Sequence, residues 1–258
     1  LLSADQKEEL QSIVDESLDR AESIWNKHGM ALDESILARA DSVLKHAETH
    51  PSKIPGHANV TFGEEVVDNF IALVADIRHS SDHLNCAIGG NRPSQMKRVV
   101  FETSALLPAL ERTLQFYNGS VTEYLGDGVL ALFQIPTPEA EKGDAIKNSY
   151  WAAKDCLGDT RDIVNSTLAE RYDLPSLDLG IGMAMSPAVI SLVGLKGLRH
   201  PKAIGQCVYR ATKLSAGFNE VFVDKAMNDA WPTSKGGKLS FIHKKMRSGV
   251  DGYKVADG

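Results

Sequence analysis

Residues 69–77 read NFIALVADI, apolar at nearly every position and closed by an acid. A strand with one face in water alternates apolar and polar residues, whereas an unbroken apolar run marks a strand covered on both faces. A chain that holds such a strand must build a layered fold, with further elements packed on each side of a sheet.

The sequence beyond this run supplies those layers. The stretch from Pro93 to Gln115 carries Val99, Val100, Leu106, Leu107, Leu110 and Leu114 on one helical side, and Asn118-Gly119 follows with a residue suited to positive φ. SVTEYL and VLALFQI flank Gly126-Asp127-Gly128, a strong short-range hairpin signal, and Pro136 and Pro138 close the second strand. Residues 139–170 are expected to be helical, with Trp151 and Ala152 among the apolar positions. LDLGIGMAMS and AVISLVGL read as two paired strands, followed by a helix from Gly205 to Ala216. EVFVD is a further strand, and SFIHKK with DGYKVA makes a closing hairpin. The order β-α-β-β-α-β is the ferredoxin-like arrangement, an α/β (α+β) sheet backed by helices.

Residues 1–60 read as a separate N-terminal helical segment and linker, ahead of a main domain over 61–258. Ser3 and Gln6 have capping-box spacing, and Leu10, Ile13, Val14, Leu18, Ala21 and Trp25 recur at helical intervals. A second helix is expected from Asp33 to His46, and PSKIPGHANVTFGEE, with two prolines and two glycines, reads as the linker. His46 and His50 are four apart without the glutamate of a zinc-protease motif, and read as a solvated helix end.

Several function classes drop out. The net charge is −6 and no basic run could track phosphates, which argues against nucleic-acid binding. No apolar stretch approaches about 18 residues, so no membrane-spanning helix is expected. Cys86, Cys156 and Cys207 share no metal-ligand spacing and cannot all pair internally; reduced thiols in a cytoplasm are the plain reading.

Two acids stand out by position. Asp76 ends the apolar strand and Asp127 tips the neighbouring hairpin, which a β-α-β-β unit brings to one edge of the sheet. Singly, each has an ordinary explanation: Asp127-Gly128 satisfies a type I′ turn, and Asp76 can cap a helix over Ser80 and Ser81. Together, two facing carboxylates at a buried strand end call for a cation between them. With the carbonyl of Ile77 they form an oxygen-rich set for two hard divalent cations, Mg²⁺ or Mn²⁺. The chemistry suited to that set is in-line displacement at phosphorus.

VADIRHSS resembles the Asp-Ile-x-Gly-Phe-Thr/Ser element of class III nucleotide cyclases, and YLGDGVLALF resembles their second metal motif. AIGQCVYRATKLS is similar to their Ile-Gly-x-x-Val-Asn-x-Ala-x-Arg-Leu element. The resemblance runs in order from Asn69 to Val255 and makes 61–258 the cyclase domain. Diguanylate cyclases share the architecture, but their Gly-Gly-Asp/Glu-Glu-Phe signature is replaced here by Leu-Gly-Asp-Gly-Val. The resemblance implies that Asp76 and Asp127 bind metal with the Ile77 carbonyl, and that the turn Arg78, His79, Ser80 and Ser81 cradles the triphosphate at a helix start. It implies attack of the ribose 3′-hydroxyl on the α-phosphate, in a head-to-tail homodimer whose sites lie at the interface.

The departures from that pattern are informative. The family asparagine falls on Tyr209 and the family arginine on Lys213, which share one helix face. Lys213 keeps a positive charge for the α-phosphate, Tyr209 offers a hydroxyl or a ring, and Arg210 is a substitute about 100° round the helix. The bland alternative is a dimer face in a cyclase relative that has lost its activity. In adenylate cyclases the base-reading positions hold lysine and aspartate or threonine; here they hold Glu123 and Lys202. A carboxylate accepts from a ring N–H and an ammonium donates to a carbonyl, the complement of guanine or uracil and not of adenine or cytosine. The His79-Ser80-Ser81 variant and the Tyr209/Lys213 pair resemble the pyrimidine cyclases of Pycsar antiphage defence, which makes UTP the favoured substrate and cyclic UMP the product. Guanylate or adenylate cyclase activity in ordinary signalling, or an inactive cyclase-homology domain, are the alternatives. Lys245 and Arg247 lie in the C-terminal hairpin where the family carries a lysine for the terminal phosphates; a solvated basic turn is the equal alternative. His79 and His83 are i, i+4 without an evident further ligand, and read as exposed helix histidines.

Overall fold

The computed structural model describes residues 2–34, 48–83, 95–136, 142–195, 197–233 and 237–257. Along the chain come α1 (Ala4–Glu34), β1 (Thr49–Ile54), β2 (His57–Thr61), β3 (Val66–Ile77), α2 (Ser80–His83), α3 (Gln95–Phe116), β4 (Ser120–Tyr124) and β5 (Gly128–Gln134). Then follow α4 (Lys142–Asp155), a π-turn (Cys156–Thr160), α5 (Arg161–Tyr172), β6 (Leu179–Val193) and β7 (His200–Gly205). The chain closes with α6 (Gln206–Leu214), β8 (Glu220–Val223), α7 (Lys225–Asp229), β9 (Leu239–Lys245) and β10 (Asp251–Asp257).

β3 sits inside an eight-stranded sheet of order β4-β5-β3-β6-β8-β10-β9, with β7 added to β6. Its side chains alternate between two cores, as the period of a strand requires. Ile71, Leu73, Ala75 and Ile77 join the core beneath α1, α3, α4 and α5, while Phe70, Ala72 and Val74 join the core beneath α6. Both faces of β3 are therefore covered, which accounts for its unbroken apolar run.

α1 begins on the capping box read from the sequence: Ser3 N–H donates to Gln6 Oε1 at 2.8 Å, and Gln6 N–H to Ser3 Oγ at 3.2 Å. Leu10, Val14 and Leu18 are fully buried in the α3-side core. The helix expected over Asp33 to His46 lies, beyond Glu34, outside the described residues.

Three expectations are corrected. The proline- and glycine-rich segment is not a linker: β1 and β2 pair antiparallel, Gly56 makes their turn at φ 79°, and Ile54 and Val60 enter the α6-side core. Only Ile54 and Val60 are apolar and inward, and the turn-forming residues around them dominate the sequence pattern. The two strands expected within residues 177–195 are one, since β6 runs unbroken through Pro187. Pro187 is tolerated because it falls between the last β8 pair, at Met183, and the first β7 pair, at Ala188. The true partner at that end of β6 is β7. Trp151 is 47% exposed, because its neighbour Tyr150 takes the inward position on α4.

Candidate active site

Backbone hydrogen bonds join the two acidic motifs directly. Asp76 lies opposite Gly128 in the β3–β5 ladder, and Ile77 N–H donates to the Asp127 carbonyl at 3.1 Å. A side chain at position 128 would place its Cβ 2.3 Å from the Ala75 carbonyl, so the second glycine of Gly-Asp-Gly is required by strand approach. The turn differs from the type I′ reading: Gly126, at φ 87°, carries the positive angle and Asp127 does not, as in a type II′ turn.

The two carboxyl groups lie close enough for the charge of one to act on the other. Burial and the facing Asp127 charge push the Asp76 carboxyl up to about 7, against the pull of Arg78, whose Nη1 lies 3.5 Å away. Among the described residues no three His, Cys, Asp or Glu side chains gather to hold a metal ion. The donor set is smaller: two crowded carboxylates, whose mutual repulsion a divalent cation would relieve. On that ground Asp76 and Asp127 fit the cations that the sequence suggests.

The turn after β3 is tight. His79 takes φ 57°, at the position where the resembled family has glycine, and its ring lies 6.0 Å from that of Phe218. Arg78 folds back, Nη1 donating to the Ser215 carbonyl at 3.3 Å. Ser80, Ser81 and Asp127 line a cavity of about 310 Å³ together with Ile77, His83 and Glu102. His83 is not the exposed helix histidine expected: its side chain is 13% exposed and Nδ1 lies 2.9 Å from Glu102.

Glu123 and Lys202 come together. Lys202 Nζ, on β7, lies 2.7 Å from Glu123 Oε2, on β4, at the wall of a second cavity of about 360 Å³. Pro51, Ser52, Lys53 and Ile54 of the N-terminal hairpin line this cavity as well, and Ser120 Oγ holds the hairpin by donating to the Lys53 carbonyl at 2.6 Å. Sequence reasoning missed this wall by assigning the hairpin to a linker.

α6 packs tightly on β6, where a Cβ at Gly182 would meet the Ala211 carbonyl at 2.1 Å. With Cys207, Ala211 and Leu214 buried, Tyr209 is turned outward, 59% exposed, and Lys213 Nζ lies over its ring at 5.7 Å. Arg210 pairs instead with the buried Asp224 at 3.5 Å. Neither Tyr209 nor Lys213 lines the Asp127 cavity. Lys245 and Arg247 are exposed at the β9–β10 turn, on the strand pair at the opposite end of the sheet from β4, and line neither cavity.

The missed residues include Arg98 and Glu102, both buried on α3. Their signal was present: an i, i+4 base and acid on the same helical side as Ala105 and Ala109.

No family profile matches the chain, and no curated protein matches it. Solved structures do. The guanylyl cyclase Cya2 is 18% identical with a TM-score of 0.58, over 74% of this chain and 93% of that one. The adenylyl cyclase CyaB from P. aeruginosa is 14% identical with a TM-score of 0.56, over 76% of this chain and 97% of that one. A class III adenylyl cyclase-like ATP-binding protein from Pseudomonas aeruginosa is 19% identical with a TM-score of 0.57, over 82% of this chain and 44% of its own length. No helix among the described residues is long and apolar enough to cross a membrane. The chain has the α/β fold of class III nucleotide cyclase domains.

Proposed function

We propose that this chain is a metal-dependent nucleotidyl cyclase that works as a head-to-tail homodimer and converts a nucleoside triphosphate, UTP by preference, to its 3′,5′-cyclic monophosphate and pyrophosphate. The observation that carries this reading is the Asp76–Asp127 pair, its carboxyl raised to about 7 beside a cavity lined by Ser80 and Ser81. Two Mg²⁺ or Mn²⁺ ions held by Asp76, Asp127 and the Ile77 carbonyl would supply charge neutralisation at the phosphates.

The chain's own residues do the rest. The turn Arg78–Ser81 offers donors to the triphosphate. Glu123 accepts from the ring N–H of uracil or guanine, and Lys202 donates to the adjacent carbonyl oxygen. Their ion pair is part-exposed, and opening such a pair for a base costs only about 0.2–1 kcal/mol. Tyr209 hydrogen-bonds the ribose, and Lys213 meets the charge that grows on the α-phosphate as the 3′-oxygen bonds to phosphorus and pyrophosphate departs. Lys245 and Arg247 serve the terminal phosphates only from a partner chain. The likeness to Pycsar cyclases makes the product a second messenger of antiphage defence, in a cytoplasm.

GTP is the second reading. It is favoured by the same Glu123/Lys202 complement and by the fold likeness to the guanylyl cyclase Cya2. Incubating the chain with Mn²⁺ and each of the four nucleoside triphosphates, with products resolved by mass, decides between them. Cyclic UMP is expected; cyclic GMP establishes the second reading, and cyclic AMP overturns the base argument. No cyclic product from any of the four sinks the enzyme reading and leaves a nucleotide-binding domain.

A further inference from the structure

A buried relay of three side chains ends at the cavity beside Asp127. Glu102 is 1% exposed; one of its carboxylate oxygens lies 2.5 Å from Arg98 Nε and the other 2.9 Å from His83 Nδ1. Arg98 is itself only 3% exposed. Taking a guanidinium and a carboxylate out of water is unfavourable, and an apolar pair at these two positions of α3 would fill the same space without that penalty.

The gain is a fixed imidazole. A carboxylate paired with arginine only accepts, so Nδ1 of His83 carries a hydrogen and Nε2 is the atom left to the cavity. His83 lines that cavity with Ser80, Ser81, Gly126 and Asp127. With Arg98 neutralising Glu102, the relay places no net negative charge behind the ring that faces the space beside the phosphate-binding turn.

We propose that His83 contacts the substrate through a hydrogen bond from Nε2, protonated as the anion binds, to a non-bridging oxygen of the β- or γ-phosphate, with Glu102 and Arg98 as positioning residues that hold the ring. This inference rests on the cyclase reading for the identity of the anion. It adds to the turn Arg78–Ser81 a phosphate contact from the next residues of the chain.

Asparagine and glutamine separate the two nitrogens of histidine. His83→Asn puts an amide where Nδ1 stands and keeps the bond to Glu102, whereas His83→Gln reaches the place of Nε2. The test is calorimetric titration of the full chain with inorganic tripolyphosphate in Mg²⁺ buffer, with the Tm of each variant. His83→Asn is expected to weaken binding about tenfold or more at unchanged Tm, as for a lost hydrogen bond to a charged group, and His83→Gln to recover most of the affinity. Wild-type affinity in His83→Asn overturns the proposal, as does the absence of tripolyphosphate binding by the unsubstituted chain. So does an equal loss in both variants that tracks a loss of Tm, which is the signature of a structural role. Turnover of nucleoside triphosphates by the unsubstituted chain, followed by mass in parallel, tests the cyclase reading separately. A cyclic product with an unchanged KM in His83→Asn defeats this inference alone.

Discussion

Asp76 keeps its proton well above the usual carboxylate range because it is largely desolvated and faces Asp127. The folded chain therefore binds a proton between about pH 4 and pH 7 that the unfolded chain has released, and stability falls as pH rises through that window. In metal-free buffer Asp76→Asn should accordingly melt higher than the unsubstituted chain at pH 8, with no difference below pH 4. Solvent reaches this carboxylate, so the gain is about 1–2 kcal/mol rather than the full linkage value. The same variant should yield no cyclic product. Thermal melts across pH with and without Mn²⁺ check both effects, and a flat difference between the two chains would remove the crowded-carboxylate account. Glu123 and Lys202 carry the second residue-scale prediction. Glu123→Lys combined with Lys202→Asp reverses the donor–acceptor order and should move the preference from UTP or GTP toward ATP by about tenfold or more in kcat/KM. Competition assays with mixed triphosphates read that shift directly. At this scale the neighbouring of Asp76 and Asp127 was legible, since an acid that ends a buried strand and an acid in a Gly-x-Gly turn are visible without coordinates. The His83 relay was not, because a histidine's partner nineteen residues away depends on how α2 and α3 pack.

The N-terminal hairpin shows what sequence patterns leave out at the scale of elements. Pro51, Pro55 and Gly56 advertise a turn-rich segment, yet only Ile54 and Val60 have to be apolar for β1 and β2 to dock on the α6-side core. Two apolar residues among polar ones are too few for a periodicity to stand out, and the docking is decided by partners distant in sequence. Glu48, just ahead of β1, accepts from the Arg199 guanidinium and the Gly197 N–H, and His57 Nε2 lies 3.1 Å from Asp68. Strand β6 shows the converse error: Ser186-Pro187 looks like a break, and only the gap between its two neighbours makes proline harmless there. Ile54→Ala should cost about 2–4 kcal/mol in a urea melt, the usual range for emptying a buried isoleucine site. Because Ile54 also lines the Glu123–Lys202 cavity, the substitution should raise KM for the nucleotide more than it lowers kcat. A loss of less than about 0.5 kcal/mol would mean the hairpin is the loose segment that its composition suggests.

At the scale of the whole molecule, the cavity beside Asp127 and the cavity beside Glu123 share no lining residue. Tyr209 and Lys213 line neither cavity, and Tyr209 stands outward on α6. A triphosphate held at Asp127 thus lacks, in its own chain's cavity, both the base-reading pair and the α6 residues. The head-to-tail dimer proposed here supplies them from the partner, and two-fold symmetry then generates two equivalent sites. Val193, Leu195, Leu198 and Ile204, at the β6–β7 end of the sheet, are exposed apolar residues suited to such a contact. The arrangement makes a prediction that no single-chain site can meet. Asp76→Asn and Lys213→Ala should each be inactive alone, since every dimer of either variant lacks one half of both sites. Mixed and allowed to exchange subunits, half of the dimers pair one chain of each kind, and in those one of the two sites is intact. Activity should therefore return to about a quarter of the unsubstituted level by random pairing. A mixture as inactive as its components would place Asp76 and Lys213 in the same site of one chain, and the head-to-tail assembly would have to be abandoned.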